Sequence, residues 1–165
     1  MKLTTKRLTA IGIMAALQFA ITIGTAPISF GVIQLRLGTI LYFMAFFNPV
    51  FIWAGVIGNM VSSIFSPFGP INILASGIAA LGATMAMSYI KSMLLASVVS
   101  AIAMTATVST MLIIVLDVPV SLAGITGIAL PLLASTLIVM TGIGHSFFRY
   151  LQKRHGKIIE IIKNI

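Results

Sequence analysis

The stretch of sequence that decides the fold reads SMLLASVVSAIAMTATVSTMLIIVL and occupies residues 92–116. It has no charged side chain and exceeds the about 20 residues that an α-helix needs to cross the hydrocarbon core of a bilayer. The sequence on both sides of this stretch is also apolar. Residues 8–148 contain only three charged side chains, those of Arg36, Lys91 and Asp117. The sequence therefore predicts a polytopic membrane protein.

Composition supports this class. Of the 165 residues, 59% are hydrophobic and 7% are charged, whereas soluble domains carry about a quarter charged residues. The formal net charge is +8, but most of the basic residues lie outside the apolar body, as topology signals do. We therefore expect no nucleic-acid partner. The absence of cysteine excludes disulfides and cysteine-based metal sites.

Polar residues, Pro and Gly divide the apolar body into six predicted helical spans. In chain order they cover about Leu8–Ala26, Gln34–Phe47, Val50–Ile64, Asn72–Ile90, Ser92–Leu116 and Ser121–Phe148. The predicted fold is an all-α six-transmembrane-helix bundle that forms a single transmembrane domain over residues 1–165. Because the second and third spans are short, an alternative has four full spans and a re-entrant region across residues 28–72.

The ends of the chain carry the orientation signal. Basic residues precede the first span and follow the last one, so the positive-inside rule places both termini in the cytoplasm. These residues are Lys2, Lys6, Arg7, Arg149, Lys153, Arg154, Lys157 and Lys163. Residues 149–165 are predicted to be a basic cytoplasmic tail, either an amphipathic helix on the inner leaflet or a frayed end.

No catalytic constellation is present, and we predict neither enzymatic activity nor a metal site or cofactor. The two acids, Asp117 and Glu160, cannot form a paired-carboxylate site, since Glu160 sits in the tail. No phosphate-binding loop motif occurs, so this chain does not hydrolyse ATP by itself. If it transports a solute, another component has to supply the energy.

A stripe of small residues marks the first span. Gly12, Ala16, Ala20 and Gly24 recur at a spacing of four and make one smooth helix face. Such a face lets another helix approach closely. It could serve either as a docking face for a partner subunit or as an internal packing surface.

Arg36 is the most informative residue, because a cation in an apolar segment is costly. Gln34 lies two residues before it, so both side chains point the same way if this segment is extended. The pair is predicted to contact a ligand from the outer face. The alternative is that Arg36 reaches outward to lipid headgroups.

A second polar cluster follows in the third and fourth spans. Asn59 lies within an apolar span and needs a hydrogen-bond partner there. The aromatic and amide groups around the next loop would suit a planar heterocycle, and the candidate residues are Phe65, Ser66, Phe68 and Asn72. The alternatives are helix capping by Asn72 and lipid anchoring by the aromatic rings.

These motifs resemble a known family. Phe30-Gly-Val-Ile-Gln-Leu-Arg, Phe47-Asn-Pro, Gly58-Asn and Phe65-Ser-Pro-Phe-Gly-Pro-Ile-Asn are similar to the queuosine-precursor transporter (QueT) family. Its members are substrate-binding S components of energy-coupling factor (ECF) transporters, a branch of the ABC importers. The stripe on the first span also resembles the motif by which S components dock.

The resemblance implies a multi-pass protein of the bacterial cell membrane that captures a vitamin or related micronutrient from outside. An ECF module, comprising a membrane coupling subunit and two cytoplasmic ATPases, would use the ATP. The family pattern carries acids after the arginine and after the Ser-Pro loop, where this chain has Leu37–Thr39 and Asn72. An amine-bearing queuosine precursor therefore fits less well, and another vitamin such as cobalamin stays open.

Two further hypotheses remain at this point. The chain could be a small self-sufficient channel or facilitator that works as an oligomer, with the small-residue stripe as the seam between copies. It could also be a membrane scaffold that binds only proteins.

Overall fold

The computed structural model describes residues 4–30 and 33–165, and this part of the chain consists of helices and the loops between them. Lys2, which contributes to the predicted orientation, and Gly31 and Val32 of the quoted motif lie outside the described residues. The described part has four apolar helices long enough to cross a membrane. The prediction of an all-α membrane protein is therefore confirmed.

The helical elements are, in chain order, α1 (Thr5–Gly24), α2 (Ala26–Ser29), a 3-10 helix (Leu37–Tyr42), α3 (Phe43–Phe47), α4 (Phe51–Ser63), α5 (Ile71–Tyr89), α6 (Met93–Val115), α7 (Leu122–Leu137), a π-helical segment (Ile138–Gly144), α8 (His145–Arg154) and α9 (Gly156–Lys163). The long apolar helices are α1, α5, α6 and the continuous run Leu122–Arg154. The shorter apolar helices Leu37–Phe47 and Phe51–Ser63 coincide with the short second and third predicted spans.

Several helix starts have a local cause. The side-chain oxygens of Thr4, Ser92 and Ser121 each accept a hydrogen bond from the backbone N–H three residues later, which caps α1, α6 and α7. Asn72 does not cap α5, because that helix begins at Ile71 without a side-chain cap. The capping alternative for Asn72 is therefore wrong, and its amide remains available to the interior.

The helices pack in a bundle in which α5 lies between α4 and α6, while α1 packs on α4 and α7 packs on α6. Close approach depends on small residues. A Cβ atom added at Gly58 of α4 would lie 2.8 Å from Oε1 of Gln18 and 3.0 Å from the carbonyl oxygen of Ala15. Gly58 is therefore needed where α4 meets α1.

Both ends of the described chain lie at the same end of the bundle. Lys6 Nζ donates to the carbonyl oxygen of Asn164 at 3.2 Å, and Arg7 Nε donates to the carbonyl oxygen of Ile165 at 2.8 Å. This arrangement requires the chain to return to its starting side, as the predicted even number of crossings does.

The C-terminal residues pack against the bundle. Residues 149–154 belong to α8, so the long last helix continues beyond the predicted end of the sixth span at Phe148. Helix α9 buries Ile159 and Ile162, and Asn48 Nδ2 donates to the carbonyl oxygen of Ile162 at 3.1 Å. The predicted tail therefore includes a docked helix that closes this end of the bundle.

Candidate functional site

Two hydrogen bonds hold residues 33–36, the segment before the 3-10 helix, in place from two sides. The backbone N–H of Leu35 donates to the carbonyl oxygen of Ile28 at 2.8 Å, and that of Gln34 donates to Oγ of Ser135 at 3.4 Å. Gln34 and Arg36 are 5% and 4% exposed, and both line the same cavity. The structure thus brings the predicted polar pair together.

The guanidinium of Arg36 is turned into the bundle. Its Nη1 donates to Oδ1 of Asn59 at 3.2 Å, and its Cζ lies 5.4 Å from the centre of the Phe30 ring, a cation–π distance. Its Nε has no hydrogen-bond partner within the described chain. Because the side chain is buried, the alternative in which Arg36 reaches outward to lipid headgroups is wrong.

Asn59 links Arg36 to α5. Its Nδ2 donates to the carbonyl oxygen of Ser76 at 2.8 Å, and the residue is fully buried. Since a carbonyl oxygen can only accept, this bond fixes the amide so that Oδ1 faces the guanidinium. The hydrogen bonds Arg36–Asn59 and Asn59–Ser76 therefore join the segment before the 3-10 helix to α4 and α5. The side chains in this network carry one positive charge and no negative charge.

The cavity beside Arg36 is enclosed by several helices. It is lined by Gln34, Arg36, Thr39, Met104, Val108, Leu132, Thr136 and Val139. Its volume is about 10 Å³, close to the about 10–15 Å³ that a single water molecule needs. The structure therefore shows a small cavity with polar and apolar walls.

Additional polar atoms are buried in the bundle without a hydrogen-bond partner in the described chain. They include Nδ2 of Asn72, Oγ1 of Thr22, Oγ of Ser63 and Oγ1 of Thr105. Asn72 is 1% exposed and lies one turn before Ser76 on α5. Buried polar groups are normally paired, so unpaired ones are candidates for contact with a ligand.

The structure separates the loop residues from the cavity. Phe65 is 63% exposed and its ring packs 5.7 Å from that of Phe19. Ser66 accepts a hydrogen bond from the backbone N–H of Phe68 at 3.3 Å, and Phe68 is half-buried against the core. Of the predicted binding residues, Gln34, Arg36 and Asn59 lie close together. Phe65, Ser66 and Phe68 do not line the cavity.

Sequence reasoning missed several polar residues of the interior. Thr39 and Thr136 line the cavity, Ser76 holds Asn59, and the buried Gln18 donates from Nε2 to the hydroxyl of Tyr42 at 3.5 Å. Ser and Thr are common in membrane helices, where their hydroxyls bond to the helix backbone, so they gave no signal. Gln18 could have been found as a lone amide in an apolar span.

The small-residue stripe on α1 faces away from the bundle. Gly12, Ala16, Ala20 and Gly24 are all exposed. A Cβ atom added at Gly12 or at Gly24 would meet nothing within 4 Å. Internal packing among the described residues therefore does not explain why these side chains are small.

The fold and the buried cluster together define a polytopic membrane protein of the transporter type, whose polar side chains face an interior cavity. A protein-family model described as QueT transporter matches residues 8–153. This match covers most of the chain, and the chain belongs to that family.

A curated relative agrees with the family. The chain is 38% identical over 82 residues to a protein of Lactococcus lactis subsp. cremoris (strain MG1363) named queuosine precursor transporter QueT. The matched stretch spans about half of each protein, 48% of this chain and 48% of the relative. No solved structure matches the chain.

Proposed function

We propose that this protein is the membrane-embedded substrate-binding subunit, or S component, of an energy-coupling factor importer. It captures a queuosine precursor from outside the cell, and a partner module with a membrane coupling subunit and two cytoplasmic ATPases powers the delivery. Membership of the QueT transporter family and the name of the Lactococcus relative support this substrate.

The observation that carries the proposal is the buried contact of Arg36 with Asn59. A guanidinium held in a bundle interior by a neutral amide is costly unless a ligand uses it. Its free Nε and the unpaired Nδ2 of Asn72 are donors for a molecule rich in hydrogen-bond acceptors. Nucleobase-like heterocycles have this character.

Binding requires the cavity to open, because ligand pockets typically measure about 300–1,000 Å³. Three lining residues, Leu132, Thr136 and Val139, lie just after Pro131 or in the π-helical segment. Pro cannot donate a backbone hydrogen bond, and π-helical turns are rare and frequent at functional sites, so we assign the opening to this wall. A planar heterocycle needs less widening than the bulky cobalamin, which favours the queuosine precursor.

The exposed stripe of α1 supports dependence on a partner. Its open surface is smooth, and close helix approach in a membrane depends on such surfaces. We assign this face to the coupling subunit. In the alternative, a self-sufficient oligomeric facilitator, the same face joins copies of this chain.

The orientation of the proposed importer follows from the ends of the chain. Both lie at one end of the bundle, and that end carries the basic residues that the positive-inside rule assigns to the cytoplasm. The loops near residues 26–36, 65–72 and 116–121 then face the outside of a bacterial cell membrane. A substrate would enter from that side.

The test is reconstitution in liposomes with and without the ATP-driven module. The purified chain alone should bind a 7-deazaguanine precursor in calorimetry but should not accumulate it. Adding the module and ATP should produce uptake. Flux through the chain alone would support the facilitator, whereas neither binding nor flux would support the scaffold.

A further inference from the structure

The positive charge of Arg36 has no carboxylate counterpart in this chain. Arg36 is 4% exposed, and within the described chain the protein groups around its guanidinium include the amide of Asn59, the ring of Phe30 and the phenol of Tyr42. The two acids of the whole sequence, Asp117 and Glu160, are both exposed. Among the described residues, the interior therefore holds one cation, Arg36, and no anion.

The hydrogen-bonding groups of Asn59 and Asn72 add to this excess of donors. Asn59 already presents its oxygen to Arg36, because its Nδ2 is engaged by the carbonyl oxygen of Ser76. Within the described residues, the buried side-chain atoms without a partner on Arg36 and on Asn72 of α5 are both N–H donors. A ligand with a carbonyl oxygen or ring nitrogen satisfies these donors, whereas an ammonium group adds a second, unpaired positive charge at low dielectric.

We infer that this site selects an uncharged heterocycle that presents an acceptor to Arg36, and that it rejects the same heterocycle carrying an ammonium group. This inference rests on the proposed function and narrows its substrate class. Arg36 is the residue that determines the selection, since it supplies both the attraction for the acceptor and the repulsion of the cation.

The experiment uses the full chain in detergent or nanodiscs and two probes with the same ring. One is a 7-deazaguanine with a 7-cyano group, which is neutral, and the other carries a 7-aminomethyl group, which is cationic at pH 7. Calorimetry should show at least about tenfold tighter binding of the neutral probe. This comparison requires only the wild-type protein, so it does not depend on the folding of any variant.

Variants then test the assignment to Arg36. Arg36→Gln should weaken binding of the neutral probe and bring the affinity ratio close to one, while Arg36→Lys should retain a preference for the neutral probe. The exposed Arg149 of α8 supplies the matched control, and Arg149→Gln should leave the affinities for both probes unchanged.

The outcomes separate the two proposals. Equal or tighter wild-type binding of the aminomethyl probe overturns this inference and leaves the proposed function standing. An unchanged ratio in Arg36→Gln overturns the role of Arg36. Binding of neither probe overturns the proposed function, and the inference falls with it.

Discussion

Nη1 of Arg36 and Oδ1 of Asn59 lie 3.2 Å apart inside the bundle, and neither side chain is more than 4% exposed. The contact joins a charged donor to a neutral acceptor, so it leaves the buried charge uncompensated. Replacing a buried ion pair with apolar side chains is often neutral or stabilising, and here the charge lacks even an ionic partner. An interior cation of this kind therefore indicates selection for binding rather than for stability.

We expect Arg36→Met to separate binding from stability. Loss of a hydrogen bond from a charged group costs about 1.5–3 kcal/mol, so ligand affinity in calorimetry should fall about 10- to 100-fold. The unfolding temperature in detergent should change little, because removal of an unneutralised buried charge offsets the unpaired Oδ1 that the variant leaves on Asn59. Arg149→Met in exposed α8 is the control, and wild-type affinity of Arg36→Met would remove Arg36 from the site.

Asn59→Ala should reduce stability as well as binding. The substitution removes the bond to Ser76 and leaves Arg36 without its amide partner. Leaving buried polar groups unsatisfied costs about 1–3 kcal/mol, which should lower the midpoint of thermal unfolding. Asn164→Ala, at an exposed position, should have no comparable effect. Equal unfolding midpoints for the two variants would contradict this account.

Gly58→Ala should destabilise the α1–α4 contact, because the new Cβ would lie 3.0 Å from the backbone carbonyl oxygen of Ala15 as well as 2.8 Å from Oε1 of Gln18. Overpacking of this kind costs about 1–3 kcal/mol. At Gly127 of α7, by contrast, a Cβ would meet nothing within 4 Å. Gly127→Ala should therefore be neutral or stabilising by up to about 1 kcal/mol. Thermal unfolding of both variants tests the difference, and equal tolerance at the two positions would refute it.

Gly12→Leu and Ala16→Leu should abolish module-dependent uptake while leaving ligand affinity unchanged. Both positions are exposed on α1 and do not pack inside the bundle. A bulky side chain there therefore blocks only an approaching helix. Gly127→Leu places the same side chain on an open position of α7 and should retain uptake. Transport at the wild-type level in Gly12→Leu and Ala16→Leu would show that this face is not the docking surface.

The orientation can be tested with single cysteines, since the sequence contains none. Val120, in the loop after α6, is 85% exposed and should react from outside the cell as Val120→Cys with a membrane-impermeant maleimide. Lys157→Cys in α9 should react only after the cells are opened. Labelling of Lys157→Cys in intact cells would reverse the proposed orientation.

Part of the site could be read from the sequence, because some polar residues are conspicuous in an apolar chain. Arg36 and Asn59 stand out, since a cation or an amide in a membrane span needs a reason to be there. Thr39, Ser76 and Thr136 could not be found in this way, because hydroxyl side chains satisfy themselves on their own helix. Proximity in sequence to the polar loop does not show which way Phe65 points, and the structure turns its ring outward.

The sequence by itself determined the all-helical membrane class, the long apolar helices and the basic ends, because these follow from composition and from spacing along a single segment. Only the tertiary structure decided that Arg36 meets Asn59, which is 23 residues away, and that Gly58 is enclosed while Gly12 is open. The physical reason is that helix rotation and depth are set by contacts between segments. All six predicted spans are apolar on nearly every face, so periodicity alone does not show which side of a helix turns inward.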